Sequence, residues 1–383
     1  MRNRSDRPVA LWKPTAAALS GLLLLSACGA PPAPSGDGAD RGEAAGATSA
    51  ADLGGLEGLI EAAQEEGELN VIALPPDWAN YGEMISTFEE KYDITVNSAA
   101  SDATSQEEIN AAEQNAGTDR APDVFDLGQA VALANADKHF APYQVETWDD
   151  IDDSIKHPEG KYVGDYTGFM SVGYNADEVP APTSLDDLLG EEYRGKVALN
   201  GDPTQAGAAF SGVVMAALGN GGSVDDIAPG VEFFAELKEA GNFLPVDPTP
   251  ATIASGETPV VIDWDYTNAQ QTLDLEGQVD WQVFVPEDAV VSSYYYQAVN
   301  LDAPHPAAAR LWQEFVFSDE GQNIYLNGFA RPARAEAMES AGTIDTDAFG
   351  RLPASDGEPV SLTQEQSDAA AEYLTQNWAD AVA

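Results

Sequence analysis

Apolar residues along the chain fall into short runs whose spacing switches between the helical and the strand period. Leu53, Leu56, Leu59, Ile60 and Ala63 share one helical face, and Gly67 supplies the stop. Leu69-Asn70-Val71-Ile72-Ala73-Leu74 then reads as a strand, ended by Pro75 and Pro76. Tyr81, Met84, Ile85, Phe88 and Tyr92 mark the next helix, and Ile94 to Val96 a short second strand. Ser105, with Glu108 three residues on, reads as a capping box that opens a further helix. A third strand at 123–126 leads to a helix near 131–136. The rhythm resumes with strands at 196–199, 259–263 and 281–285, with helices between them. Two more extended segments, 169–174 and 294–299, lie far apart in the chain and could each cross between two lobes. Helices are expected at 306–317 and 319–327, and Thr363 with Gln366 caps a last one that runs to the C-terminus. This alternation predicts an α/β chain on a mostly parallel sheet covered on both faces.

The N-terminal segment follows another pattern. Arg2, Arg4, Arg7 and Lys13 precede an apolar stretch from Ala16 to Ala27, shorter than the about 20 residues that span a bilayer. That is the pattern of a signal peptide over residues 1–27. Leu25-Ser26-Ala27-Cys28-Gly29 resembles the lipobox of bacterial lipoproteins, which implies lipidation of Cys28 and a tether to the extracytoplasmic face of the cell membrane. The stretch after it is Ala, Gly, Pro, Ser, Asp and Glu with almost nothing to bury, so residues 28–51 are expected to be a flexible linker. No later segment is long and apolar enough to cross a bilayer.

Charge narrows the partners. The 383 residues include 65 Asp or Glu against 17 Lys or Arg, a net charge of −48, which argues against nucleic acid because its phosphates must be neutralised by basic side chains. A hydrophobic fraction of 44 % is that of a folded protein rather than an acidic tail, and the length suits two lobes. The single Cys rules out a disulfide within the chain and a multi-thiolate zinc site, and an all-His site would need His139, His157 and His305 together. No metal or other cofactor is expected. The acids are spread along the chain, as in Glu65-Glu66, Asp149-Asp150 and Asp186-Asp187, which reads as a solvated surface. No Gly-x-Ser-x-Gly elbow, His-Glu-x-x-His helix or phosphate-binding Gly-x-x-x-x-Gly-Lys-Ser/Thr loop occurs, so binding is favoured over catalysis. The abundance of carboxylates keeps a lipoprotein hydrolase open as an alternative of another class.

Several stretches together carry a family resemblance. They are Gly67-Glu68-Leu69-Asn70-Val71, the helix-to-strand step from Phe88 to Val96, Ala121-Pro122-Asp123-Val124, Gly173-Tyr174-Asn175, and above all His305-Pro306-Ala307-Ala308-Ala309-Arg310-Leu311-Trp312 continued by Ser318-Asp319-Glu320-Gly321-Gln322. The chain after the linker resembles the periplasmic-type solute-binding proteins of ABC importers, in the branch that holds polyamine, ferric-iron, thiamine and aminoethylphosphonate binders. The resemblance implies a two-lobe fold of the type 2 class, with two crossing strands as hinge and a small-molecule ligand in the cleft between the lobes. Lobe 1 would comprise 52–170 and 293–335, and lobe 2 would comprise 171–292 and 336–383. The implied partners are the ligand and the transmembrane subunits of an ABC permease, with the binding protein a monomer.

In open α/β sheets ligands sit beyond the carboxyl ends of the strands. Those positions hold Asp77 and Trp78, Gly128 and Gln129, Thr204 and Gln205, and Trp264, Asp265 and Tyr266. The second crossing strand adds Tyr294, Tyr295 and Tyr296, of which at most two share a face, so Tyr294 and Tyr296 join the candidate set. An aromatic face beside a carboxylate suits a cation. In the iron branch the corresponding strand ends in two adjacent Tyr, whereas this chain reads Trp264-Asp265-Tyr266, and a Trp at that place resembles the polyamine binders. A small organic cation such as a polyamine is therefore expected, with ferric iron, thiamine or aminoethylphosphonate as alternatives. For an anion, the start of the helix after Thr204-Gln205-Ala206-Gly207 would offer free N–H groups.

Overall fold

The computed structural model describes residues 37–383. The expected signal peptide, the lipidated Cys28 and the linker up to residue 36 lie outside the described residues. The rest of the expected linker is not a leash. Asp37–Gly46 is helical and Ala50–Leu53 forms a single 3-10 turn. Ala44, Ala47 and Ala50 are buried, and the buried Arg310 donates to the carbonyls of Ala45 and Ala47 at 2.8 Å each. Alanines look featureless in the sequence, yet their small side chains let this backbone lie against the guanidinium. Arg310→Ala would strip these carbonyls, and that of Pro306, of their donor, at about 1–3 kcal/mol for each group left unmet. Faster proteolytic cleavage between residues 42 and 53 is the expected result, and an unchanged cleavage pattern would show that Arg310 does not hold the segment.

Ten strands are described: β1 (Glu68–Ile72), β2 (Thr95–Ala99), β3 (Val124–Gly128), β4 (Phe140–Ala141), β5 (Val163–Asn175), β6 (Val197–Leu199), β7 (Val260–Trp264), β8 (Trp281–Phe284), β9 (Ser292–Asn300) and β10 (Arg331–Pro332). β1 and β2 pair with each other, and the larger sheet runs β3-β9-β5-β7-β6, with β4 on β9 and with β8 and β10 on β5. Only β1–β2 and β6–β7 are parallel pairs. The expected mostly parallel sheet is thus corrected, because the long strands β5 and β9 run against each other and against every other strand they pair with. Helical crossovers return a chain parallel to its previous strand, whereas a strand that passes from one half of the molecule to the other enters its sheet from the opposite end.

β5 changes partners midway. Up to Phe169 it lies beside β9 and β10; from Met170 to Asn175 it lies beside β7 and β8. The pairs Met170–Trp264 and Gly128–Tyr295 set the ends of β7 and β3 facing each other across residues 167–169 of β5. Glycines on β5 make room for the helix that follows β7, Asp265–Asp274. A Cβ on Gly168 would stand 2.5 Å from the Tyr266 ring, and one on Gly173 2.1 Å from Asn268 Oδ1.

Two of the sequence stretches that carry the resemblance meet at Asp123. Its carboxylate accepts the Asn70 N–H (2.6 Å), the His305 N–H (2.7 Å) and His305 Nδ1 (2.8 Å), tying β1, the start of β3 and the helix Pro306–Val316 together. Burial pulls the His305 imidazole down, but the Asp123 carboxylate outweighs it and holds the ring above its ordinary range. The tail divides differently from the expected boundary at residue 336. Met338, Ile344 and Ala348 cluster with Leu326, so this stretch packs on the preceding helix Asp319–Asn327. The final helix, Gln364–Val382, opens with the expected Thr363–Gln366 capping box and sets Trp378 against Phe234, ring centres 5.2 Å apart.

Candidate functional site

A cavity of about 720 Å³ opens where these strand ends converge. Asp77, Trp78, Gly128, Gln129, Thr204, Gln205 and Trp264 all line it. Asp265, Tyr266, Tyr294 and Tyr296 do not, and Tyr295 stands on the wall in place of its two neighbours. Alternation along β9 is the reason. Tyr296 pairs with Leu127 and turns to Tyr162 (ring centres 5.4 Å apart), and Tyr294 packs on the same small cluster. Tyr295 points the other way and stacks flat on Tyr166 at 5.4 Å.

Asp265 is the largest departure from the expectation. It starts the helix and folds back onto β5, fully buried, where it accepts the Phe169 N–H (2.8 Å) and pairs with Arg331. Burial pushes its carboxyl up and Arg331 pulls it part of the way back. A carboxylate so engaged is a structural partner rather than a free ligand group. Tyr266 lies stacked against Trp264 at 6.1 Å and edge-on to Trp78 at 5.4 Å, a support for the aromatic wall.

Three carboxyls that the sequence reading did not select take the place meant for Asp265. Glu108, Asp126 and Asp263 all line the cavity and all are buried. The expected cap at Ser105 is set back by one residue, since Thr104 accepts the Glu107 N–H and Glu107 closes the box. That shift frees Ser105 to accept the Gly128 N–H (3.0 Å) and Glu108 to accept the Asp126 N–H (3.2 Å), so both serve the end of β3. Asp126 Oδ2 accepts the Tyr166 hydroxyl (3.1 Å), which in turn accepts the Trp78 indole N–H (2.7 Å), while Asp126 Oδ1 has no partner. Asp263 Oδ1 accepts only the N–H of Trp264, at 2.7 Å. Burial pushes Asp126 and Asp263 up to about 7 each and Glu108 well above the usual carboxylate range. Asp126 and Asp263 were legible as carboxylates within apolar runs, where an acid is seldom buried without a partner or a task, whereas Glu108, next to Glu107 in a polar stretch, carried no such signal.

Asp77, Asp102, Asp247 and Asp368 complete the acidic wall. Among the described residues, no Lys, Arg or His lines the cavity. The sequence reading also missed the last helix, which contributes Ser367, Asp368 and Ala371. Gln129 Nε2 donates to the Leu362 carbonyl just before that helix, at 3.0 Å. At the berth considered for an anion, Asp202 Oδ1 takes both the N–H and the hydroxyl of Thr204, at 2.8 and 2.7 Å, which sets a carboxylate beside the start of the helix Gly207–Gly219, itself without a side-chain cap. Among the described residues no group of His, Cys, Asp and Glu is arranged to hold a metal. Chemically, the site combines buried carboxylates, one with a free oxygen, and the faces of Trp78, Trp264 and Tyr295, an arrangement that attracts positive charge.

The sequence profile of the bacterial extracellular solute-binding proteins matches residues 119–348. The chain belongs to that family. A search of curated proteins finds no match. Solved structures share the two-lobe type 2 fold of this solute-binding protein. A putative spermidine/putrescine ABC transporter protein from Listeria monocytogenes superposes with a TM-score of 0.63 at 14 % identity, over 82 % of this chain and 98 % of its own. Iron-bound HitA from Pseudomonas aeruginosa gives 0.59 at 18 %, over 82 % and 99 %. AfuA from Actinobacillus pleuropneumoniae, with fructose-6-phosphate bound, gives 0.61 at 15 %, over 82 % and 98 %. Proteins of one fold thus hold a metal, a sugar phosphate or, by name, a polyamine, and the ligand must be argued from each cavity.

Proposed function

We propose that the protein captures a small organic cation, such as a polyamine, outside the cytoplasmic membrane and delivers it to an ABC permease. The observation that carries this reading is the sign of the cavity wall, which holds Glu108, Asp126 and Asp263 at depth, four further acids, and no basic residue among those described. A phosphate or carboxylate ligand would find no basic side chain on the wall among the described residues and would meet Asp77, Asp102, Asp247 and Asp368 there. A cation meets aromatic faces and carboxylates that ionise as it arrives. Capture is closure of two lobes about β5 and β9, a hinge motion, and turnover plays no part in it. A thermal-shift screen over polyamines, thiamine, ferric citrate and aminoethylphosphonate tests the reading, since a ligand at 100 times its dissociation constant adds about 2.7 kcal/mol of stability. Stabilisation by amines and not by phosphonate is expected. Stabilisation by anions alone, or conversion of a bound amine into product, would end it.

Membrane attachment through Cys28 belongs to the same proposal and rests on the Leu25–Cys28 sequence. Cys28→Ser is expected to release the protein from membranes, or leave it unprocessed, without changing its ligand affinity. Unchanged partitioning of this variant into detergent would refute the anchor.

A further inference from the structure

The helix Asp265–Asp274 turns one polar stripe toward the cavity, made of Thr267, Asn268 and Gln271, with Trp264 just ahead of it. Their spacing of three, one and three places these four on a single helical face. Asn268 is internally employed: its Nδ2 donates to Ser171 Oγ at 2.9 Å and steadies β5. The other three are not. Trp264 Nε1, Thr267 Oγ1 and Gln271 Oε1 are each buried without a hydrogen-bond partner, with Trp264 only 1 % and Gln271 3 % exposed. A residue kept polar for the sake of the fold shows an internal bond, as Asn268 does, because a buried donor or acceptor left unmet is destabilising.

We propose that these three residues form a second subsite, which takes an uncharged hydrogen-bonding group, so that the solute is an organic cation carrying a hydroxyl or amide away from its charge. This rests on the cation reading above and deepens it, replacing the polyamine given there as an example with an amine that carries a hydroxyl or amide. Chemistry selects the group. The Trp264 N–H can only donate and Gln271 turns its Oε1 acceptor to the same face, so a ligand group that offers both an acceptor and a donor satisfies the pair. A second ammonium could not accept from the indole. A carboxylate could not donate to Gln271 and would face Asp263 across the same wall. A hydroxyl or a primary amide satisfies both, with Thr267 able to join as either partner.

Matched probes separate the two subsites. Calorimetric titration would compare ω-amino alcohols of three to eight carbons with n-alkylamines of equal length, on the wild-type protein and on Gln271→Met, Thr267→Val and Asp126→Asn. For at least one chain length the amino alcohol should bind about tenfold more tightly than the alkylamine, the equivalent of one well-made hydrogen bond. That ratio should fall toward one in Gln271→Met and in Thr267→Val, while Asp126→Asn weakens both series together and leaves the ratio standing. A ratio near one in the wild type, or one unmoved in both subsite variants, overturns the second subsite and leaves the cation site intact. If neither series binds the wild type, the cation reading itself fails and the subsite with it.

Discussion

Asp126→Asn is expected to remove most of the affinity for a cationic solute while leaving the fold in place. The carboxyl sits at the bottom of the cavity with Oδ1 free and Oδ2 held by Tyr166, so its charge is available to a ligand and shielded from water. A charge-assisted bond in such a place is worth about 1.5–3 kcal/mol, or roughly 10- to 150-fold in dissociation constant. The pH dependence gives the sign independently. Burial raises Asp126 and Asp263 to about 7, above the values of an unfolded chain, so the folded state holds protons that the unfolded state has lost. The unliganded protein should therefore lose stability as pH rises from about 4 to about 7. A cation favours the ionised carboxyls, so its affinity should rise over the upper part of that window and level off above it. Stability of the free protein and affinity for the ligand thus run in opposite directions with pH. Asp126→Asn should flatten both slopes, with Asp263 retaining a share. Calorimetry between pH 5.5 and 8.5 reads the affinity limb, and an affinity that falls with rising pH would contradict a cationic ligand.

Much of the molecule was readable before the structure because its elements obey local rules. The helix from Tyr81 to Tyr92, the capped last helix and the strand before Trp264 follow from periodicity and capping chemistry alone. So does the general position of the cavity, since ligand sites lie beyond strand ends. What local rules could not supply was the direction of single side chains. Asp265 and Asp263 flank the same indole in the sequence, but the helix begins between them. Asp265 is turned onto β5, where Gly168 leaves room and Arg331 waits, and Asp263 is left on the cavity wall. Arg331 is 66 positions away, and no local pattern announces that pairing. Ser105 and Glu108 failed for a related reason. Thr104 and Glu107 form an equally good capping box one residue earlier, and only the need to finish β3 decides between the two. The Ala-rich segment near Arg310 read as a leash because its docking relies on backbone carbonyls, which composition does not report.

Arg331→Met, by contrast, should strike stability rather than affinity. The guanidinium joins three parts of the hinge region: it pairs with Asp265, donates to the Pro353 carbonyl at 2.9 Å, and lies 3.9 Å over the ring of Phe169, where β5 changes partners. Removing it leaves Asp265 buried with the Phe169 N–H and the start of its own helix as compensation. Breaking a buried pair from one side typically costs about 3–5 kcal/mol, because the remaining charge has nowhere to go. Asp265→Asn should cost less, since Arg331 lies nearer the surface and can recover solvent. The double variant should fall short of the sum of the two, as contacting residues do. Acid provides the control. Burial already raises Asp265 and Arg331 is what opposes it, so without Arg331 the folded-state value climbs further. Its contribution is then lost over a wider range as pH rises, and the penalty of Arg331→Met should shrink below about pH 4, where Asp265 is protonated in both states. Denaturant midpoints at pH 4 and pH 7.5 measure this directly. A penalty under about 1 kcal/mol at pH 7.5 would remove the pair from the hinge, and a loss of ligand affinity comparable to that of Asp126→Asn would return Asp265 to the binding site.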